Sequence, residues 1–338
     1  MTDQSKIPLP SSVERAIAGF DFGKLGGISS PGTLPPENRQ RVVMREVTIE
    51  PMPEGSAPAP VETPEPAAVA PVASPTAQPA PRPSLPPFEP VTFPQVFHPV
   101  NRAHLREGGL IVPEGSVTAL MEEFRIVKRQ LLLQVGELRR GGLGAAAQRI
   151  LVCSPLPGEG KTFCSTNLAL AIAAERESEV VLVDADFAKP SILSTLGLPG
   201  GPGLMDALTD PAIDVAQCVV GTDIPGLWVL PAGNATNRDT EILASSRTAM
   251  VLDRLTQGAP NRIVIFDSPP ALAASPAAEL AKYVGQAVVV ARADQTGQGA
   301  LEDAVSLLSA CPNIQLLLNA VHFSPSGRRF GSYYGYKG

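Results

Sequence analysis

The sequence predicts a doubly wound α/β fold, a mostly parallel sheet covered by helices on both faces, behind a long Pro/Ala-rich leader. Three observations lead there. Short apolar runs at 149–153, 180–183, 227–230, 263–266, 287–290 and 315–318 alternate with helical stretches over much of the second half of the chain. Apolar runs without polar alternation are strands buried on both faces, as in parallel sheets. A glycine-rich turn joins the first run to an Ala/Leu-rich helix, the setting of a phosphate-binding loop. The prolines are unevenly placed: of 36, 21 lie in residues 1–100.

Proline lacks an amide donor and pushes its neighbour out of helical geometry, so the first hundred residues favour extended, solvated chain. The leader is placed at 1–110, with a short helix over 11–20 in which Val13, Ala16, Ile17 and Phe20 share a face. Residues 41–49 are strand-like in composition without an adjacent partner. A spacer is the simplest role for this region, and a polyproline-type ligand for a partner domain is the other. From Ser116, Leu120, Phe124, Val127 and Leu131 recur at helical spacing, so 111–148 is read as an N-terminal helix ended by Gly141, Gly142 and Gly144. The α/β domain follows at 149–323, with helices over 161–174, 240–255, 276–283 and 298–308, and residues 324–338 form a tail.

A net charge of −6 argues against binding nucleic acid through the whole surface. No run of about 18 apolar residues is present and no basic-then-apolar N-terminus, so a membrane-spanning helix and a secretory signal are not expected. Cys153, Cys164, Cys218 and Cys311 are scattered, which reads as buried reduced thiols in a cytoplasmic protein rather than a zinc site or disulfide framework.

The residues that carry chemistry fall into three groups. Ser154 to Thr162 reads Ser-Pro-Leu-Pro-Gly-Glu-Gly-Lys-Thr between strand and helix. Gly158 and Gly160 let backbone amides approach phosphates, the helix start adds unpaired amides, Lys161 can span the β- and γ-phosphates, and the Thr162 hydroxyl can ligate Mg²⁺. An ordinary helix start explains a Gly-Lys turn, but not the strand, loop and helix together. Pro155 stands where the usual loop has its first glycine. Asp184 and Asp186 end the second strand and Asp267 the fourth. A single aspartate there is most often a cap or turn residue; beside a phosphate loop, the three can serve a metal or accept a proton. Finally, three of the four tyrosines, Tyr333, Tyr334 and Tyr336, lie in the last six residues between glycines. Docking anchors are one reading of them and phosphoryl acceptors the sharper one. Nine residues from Ser324 to Tyr333 extend about 30 Å at roughly 3.3 Å each, enough to reach a neighbouring subunit.

In order, Pro157-Gly-Glu-Gly-Lys-Thr162, Leu182-Val-Asp-Ala-Asp186, Phe266-Asp-Ser-Pro-Pro270 and the tyrosine cluster make the chain resemble the bacterial protein-tyrosine kinases of exopolysaccharide and capsule synthesis. Gly203 to Leu208 and Leu230 to Gly233 look like the family too. The phrase Met121 to Arg129 and the start Ser12 to Ala16 look like its exosortase-associated subgroup. The resemblance spans about residue 116 to the end. It implies a Min/Par-like P-loop NTPase fold, ATP and Mg²⁺ as cofactors, and autophosphorylation between protomers. It places Pro157, Gly158, Glu159, Gly160, Lys161, Thr162 and Phe163 at the nucleotide, with Asn319 reading adenine. Thr162, Asp184 and Asp267 would hold the metal, and Asp184 or Asp186 would take the tyrosine proton. Glu122, Arg125 and Lys128 look like the family's ring-forming helix motif, with Lys in place of the last Arg. Ala188, followed by Lys189, replaces a family arginine. Implied partners are a separate membrane polysaccharide chain-length regulator, further copies in a ring, and a protein-tyrosine phosphatase, at the inner face of the plasma membrane and without nucleic acid. Two rivals remain. A Min/Par-type positioning ATPase carries a lysine where this loop has Leu156 and lacks the tyrosines. A regulatory scaffold would bind nucleotide without transferring phosphate.

Overall fold

The computed structural model describes residues 91–321. The helix expected over 11–20, the segment 41–49 and the tyrosine tail lie outside the described residues.

The strands are β1 (Phe97–His98), β2 (Arg149–Cys153), β3 (Glu179–Asp184), β4 (Val220–Thr222), β5 (Leu227–Leu230), β6 (Arg262–Asp267), β7 (Gln286–Arg292) and β8 (Ile314–Asn319). They form one sheet in the order β1-β4-β5-β3-β6-β2-β7-β8, parallel throughout except where β4 meets β5. β2 and β6 are buried along their whole length, because Ile, Leu, Val and Phe on both sides of each strand meet helices above and below. The predicted doubly wound parallel sheet is therefore what forms. Register decides the site. Asp267 on β6 lies level with Asp184 on β3 and with Val152 on β2. The carboxyl ends of three adjacent strands thus open on one crevice, where ligands bind in such sheets.

The helices are α1 (Arg102–Glu107), α2 (Ala119–Arg140), α3 (Lys161–Ala173), α4 (Ile192–Leu196), α5 (Leu204–Thr209), α6 (Asp239–Leu243), α7 (Arg247–Thr256), α8 (Pro276–Leu280) and α9 (Gln298–Leu307). The first four cover one face of the sheet, through residues such as Leu105, Leu131, Leu168 and Ile192. The last five cover the other, through Leu204, Leu243, Leu252, Leu280 and Leu301.

Three expectations need correction. The first concerns the leader, which was placed at 1–110. Residues 91–111 instead pack on the domain and strap the β4 edge from one face to the other. Val91 and Phe93 join the core on the α7 face, whereas Val100, Leu105 and Ile111 join the one on the α3 face. Pro94 and Pro99 suit this role, since an extended strap needs few amide donors. Phe93 stacks edge-on against Trp228 at 5.2 Å, and the Arg262 guanidinium lies 4.1 Å over its ring. Phe93→Ala is expected to lower unfolding stability by about 3 kcal/mol, measured by urea denaturation.

The second is the helix expected over 240–255, which is two helices broken at 244–246. The Ser245 amide and the Thr248 hydroxyl both donate to the Ile242 carbonyl, a local closure that ends α6 before α7 starts.

The third is Lys128. The resemblance put it with Glu122 and Arg125 in a ring-forming motif, but its side chain turns inward. Its Nζ donates to the Ala171 carbonyl at 3.1 Å and pairs with Glu175 at 2.6 Å. The last turn of α3 has no basic residue of its own, so Lys128 supplies the cation its carbonyls favour. Glu122 and Arg125 form an exposed ion pair one turn apart.

Candidate nucleotide site

The loop from β2 to α3 is held by its carbonyls. Those of Ser154 and Pro155 accept from the Ala271 and Leu272 amides at 2.8 and 3.2 Å. A proline at 155 therefore costs the loop no donor it uses here. Gly158 and Gly160 have φ of 81° and 94°, and a Cβ on Gly160 would lie 2.1 Å from the Asn319 Nδ2. Gly160 is also the N-cap of α3 and brings no side chain to the first-turn amides, which stay available to an anion.

Beyond the loop, the functional side chains converge. Lys161 Nζ donates to Asp186 Oδ2 at 3.0 Å, and the Thr162 hydroxyl donates to Asp267 Oδ2 at 2.6 Å. Asp267 is fully buried, and its Oδ1 has no partner. Burial pushes its carboxyl up to about 7, against the pull of the Thr162 bond. An orphaned carboxylate oxygen beside a threonine hydroxyl suits a hard divalent cation, which takes oxygen ligands and would hold the acid ionised. Thr162 and Asp267 could hold Mg²⁺, with Asp184 level with Asp267 on the neighbouring strand.

The paired acids of β3 differ in what binds them. Asp184 Oδ2 accepts from the Ser191 and Ile192 amides at 2.8 and 2.9 Å, and its Oδ1 from the Asp186 amide at 3.3 Å. Burial raises its pKa and those three amides oppose the rise. Asp184 thereby fixes the 185–191 loop and the start of α4. Asp186 instead holds the Lys161 ammonium through Oδ2 and the Lys189 amide through Oδ1. Asp184→Ala is expected to cost about 2 kcal/mol of stability in thermal denaturation, because three amides lose their acceptor, whereas Asp186→Asn melts near the parent.

Other expected residues are placed differently. The Phe163 ring packs edge-on to Phe124 at 6.4 Å, so its side chain serves the contact between α3 and α2. Asn319, expected at adenine, donates from Nδ2 to the Glu159 carbonyl at 2.9 Å and accepts the Ala320 amide at 2.8 Å. Lys189 is exposed, its backbone amide bonded to Asp186. All four cysteines are buried and unpaired with one another, and burial raises each thiol pKa. Among the described residues no helix is long and apolar enough to cross a membrane.

Sequence reasoning missed Arg292 and Thr296. Arg292 Nη1 donates to the Gly158 carbonyl at 3.2 Å, and the Thr296 hydroxyl donates to Glu159 Oε1. Arg292 ends β7 and Thr296 lies just beyond it, far from the loop in sequence and outside any recognisable motif.

No known family model matches the chain. Its curated relatives are tyrosine-protein kinases of bacteria. Over 189 residues, 55% of this chain, it is 31% identical to the putative tyrosine-protein kinase EpsB of Ralstonia nicotianae, 24% of whose length it covers. It is 29% identical over 191 residues to tyrosine-protein kinase YwqD of Bacillus subtilis, covering 56% of this chain and 77% of that one. Among solved structures, the VpsO kinase domain is 30% identical, with a TM-score of 0.46, over 52% of this chain and 85% of the other. The chain spans about a quarter of the length of EpsB.

Proposed function

We propose that this chain, whose curated relatives are bacterial tyrosine-protein kinases, is an ATP-dependent protein-tyrosine autokinase that regulates exopolysaccharide synthesis or export. It transfers the γ-phosphate of ATP to Tyr333, Tyr334 and Tyr336 of a neighbouring protomer. One observation carries the reading: the phosphate loop, Lys161, the Thr162–Asp267 pair and the Asp184/Asp186 pair meet at the ends of three adjacent strands.

In this reading the loop amides and the start of α3 bind the phosphates. Lys161 exchanges Asp186 for the β- and γ-phosphates. Thr162 and Asp267, with Asp184 directly or through water, hold Mg²⁺, which supplies charge neutralisation at the transferring phosphoryl group. Asp184 or Asp186 takes the tyrosine proton. Displacement of Lys161 onto phosphate leaves the Asp186 carboxylate free at the moment a base is needed. Positioning and charge stabilisation account for most of phosphoryl transfer, so this small set suffices. Asn319 is retained at the base of the nucleotide, and Glu122 and Arg125 on the face that meets another copy in a ring. The activator is a membrane polysaccharide chain-length regulator on a separate chain, which holds the kinase at the inner face of the plasma membrane. A protein-tyrosine phosphatase resets the tail, and nucleic acid has no part.

The test is incubation with Mg²⁺-ATP, with and without the cytoplasmic segment of the membrane partner, followed by mapping of phosphate by mass spectrometry. Phosphotyrosine in the last six residues is expected. Phosphate released to solution with the tyrosines unmodified assigns the chain to the positioning ATPases instead, and tight nucleotide binding with neither product to a scaffold.

A further inference from the structure

Glu159 is an acid in a loop built to receive an anion. It lies two residues before Lys161, and the residue is only 4% exposed. A buried carboxylate so close to incoming phosphates repels them unless its charge is turned away and its oxygens are satisfied. The structure shows how that is done. Glu159 Oε2 accepts the Leu156 amide at 2.7 Å, closing the loop on itself, and Oε1 accepts the Thr296 hydroxyl. The Thr296 hydroxyl is in turn held by the Arg292 amide, which donates to its oxygen at 2.8 Å. The Arg292 side chain bonds the Gly158 carbonyl and Asn319 bonds the Glu159 carbonyl, so the loop is gripped from behind by the ends of β7 and β8.

We infer that Thr296 is a positioning residue for nucleotide binding, acting through Glu159: its hydroxyl keeps that carboxylate folded back from the phosphate cradle. The inference rests on the nucleotide reading of the loop and adds the element that tunes its affinity, the connection between β7 and α9. Without the hydroxyl, Glu159 Oε1 is left buried and unpaired. The carboxylate can then turn toward the loop amides and Lys161, donors that the phosphates require.

Calorimetric titration of the full chain with Mg²⁺-ADP tests this. Thr296→Val is expected to weaken binding about tenfold, the loss of one hydrogen bond to a buried charged group. Thr296→Ser, which keeps the hydroxyl, should bind within about twofold of the parent. Adding Glu159→Gln to Thr296→Val should restore most of the affinity, because the misplaced charge is gone; a mere packing defect at 296 would not respond. Parent-like binding by Thr296→Val, or no recovery in the double variant, overturns the inference. Failure of the parent itself to bind ADP overturns the nucleotide reading and this inference with it.

Discussion

Lys161→Ala should reduce phosphate on Tyr333, Tyr334 and Tyr336 by about 100- to 1,000-fold, the scale of loss when one preorganised donor to developing transition-state charge is removed. Mass-spectrometric occupancy after a timed incubation with Mg²⁺-ATP reads it directly. The size of the effect follows from the surroundings. In the described residues, Lys161 is the cation that opens α3 immediately after the glycines, and its ammonium faces the crevice on Asp186. Asp186 would remain in the variant with no cation opposite it, adding repulsion to the loss of attraction. Label that persists in Lys161→Ala would place the chemistry elsewhere.

A loss of stability as large as that at Phe93 is expected at Gly203. A Cβ there would sit 2.1 Å from the Pro231 carbonyl oxygen and 2.3 Å from the Gly233 nitrogen, both backbone atoms with nowhere to go. The approach is close because the start of α5 docks on this loop. The Leu204 and Met205 amides donate to the Pro231 and Ala232 carbonyls at 2.8 and 2.9 Å. Asp206 fastens the same joint, accepting the Gly203 and Asn234 amides at 2.8 and 3.2 Å. Gly203→Ala must push these apart and drag Leu204 and Met205 out of the core. A loss of about 3 kcal/mol is expected, lowering the melting temperature by about 6–12 °C. Gly200→Ala, three residues earlier in open space, should melt with the parent.

Much of the candidate site is legible in the sequence because its parts are contiguous with strand ends. A strand's own apolar run announces where Asp184 and Asp267 stand, and the phosphate loop is a single stretch. What is not legible is whatever depends on two distant segments meeting. Arg292 ends an ordinary strand and Thr296 lies just beyond it, and only the β2–β7 pairing brings them behind the loop. β4 is three residues long and contains Gly221, and β1 is two, too short for any periodicity. The strap was hidden by its own prolines, which mark extended chain without saying whether it is solvated or packed. Lys128 was grouped with Glu122 and Arg125 for a different reason: a motif fixes which residues share a helix turn, but a long stem can carry its charge to a neighbouring helix end.

The Phe93 anchor has a mechanical consequence. It sits against Trp228 near the start of β5 and Arg262 at the start of β6, at the opposite end of the strands from Asp267. Tension applied through the ninety residues that precede the strap would therefore be borne first by the aromatic pocket and by the Val91 amide on Gln257. It would load the amino ends of the strands and spare the crevice at their carboxyl ends. A partner could haul on that leader without disturbing the spacing of Lys161, Asp186 and Asp267.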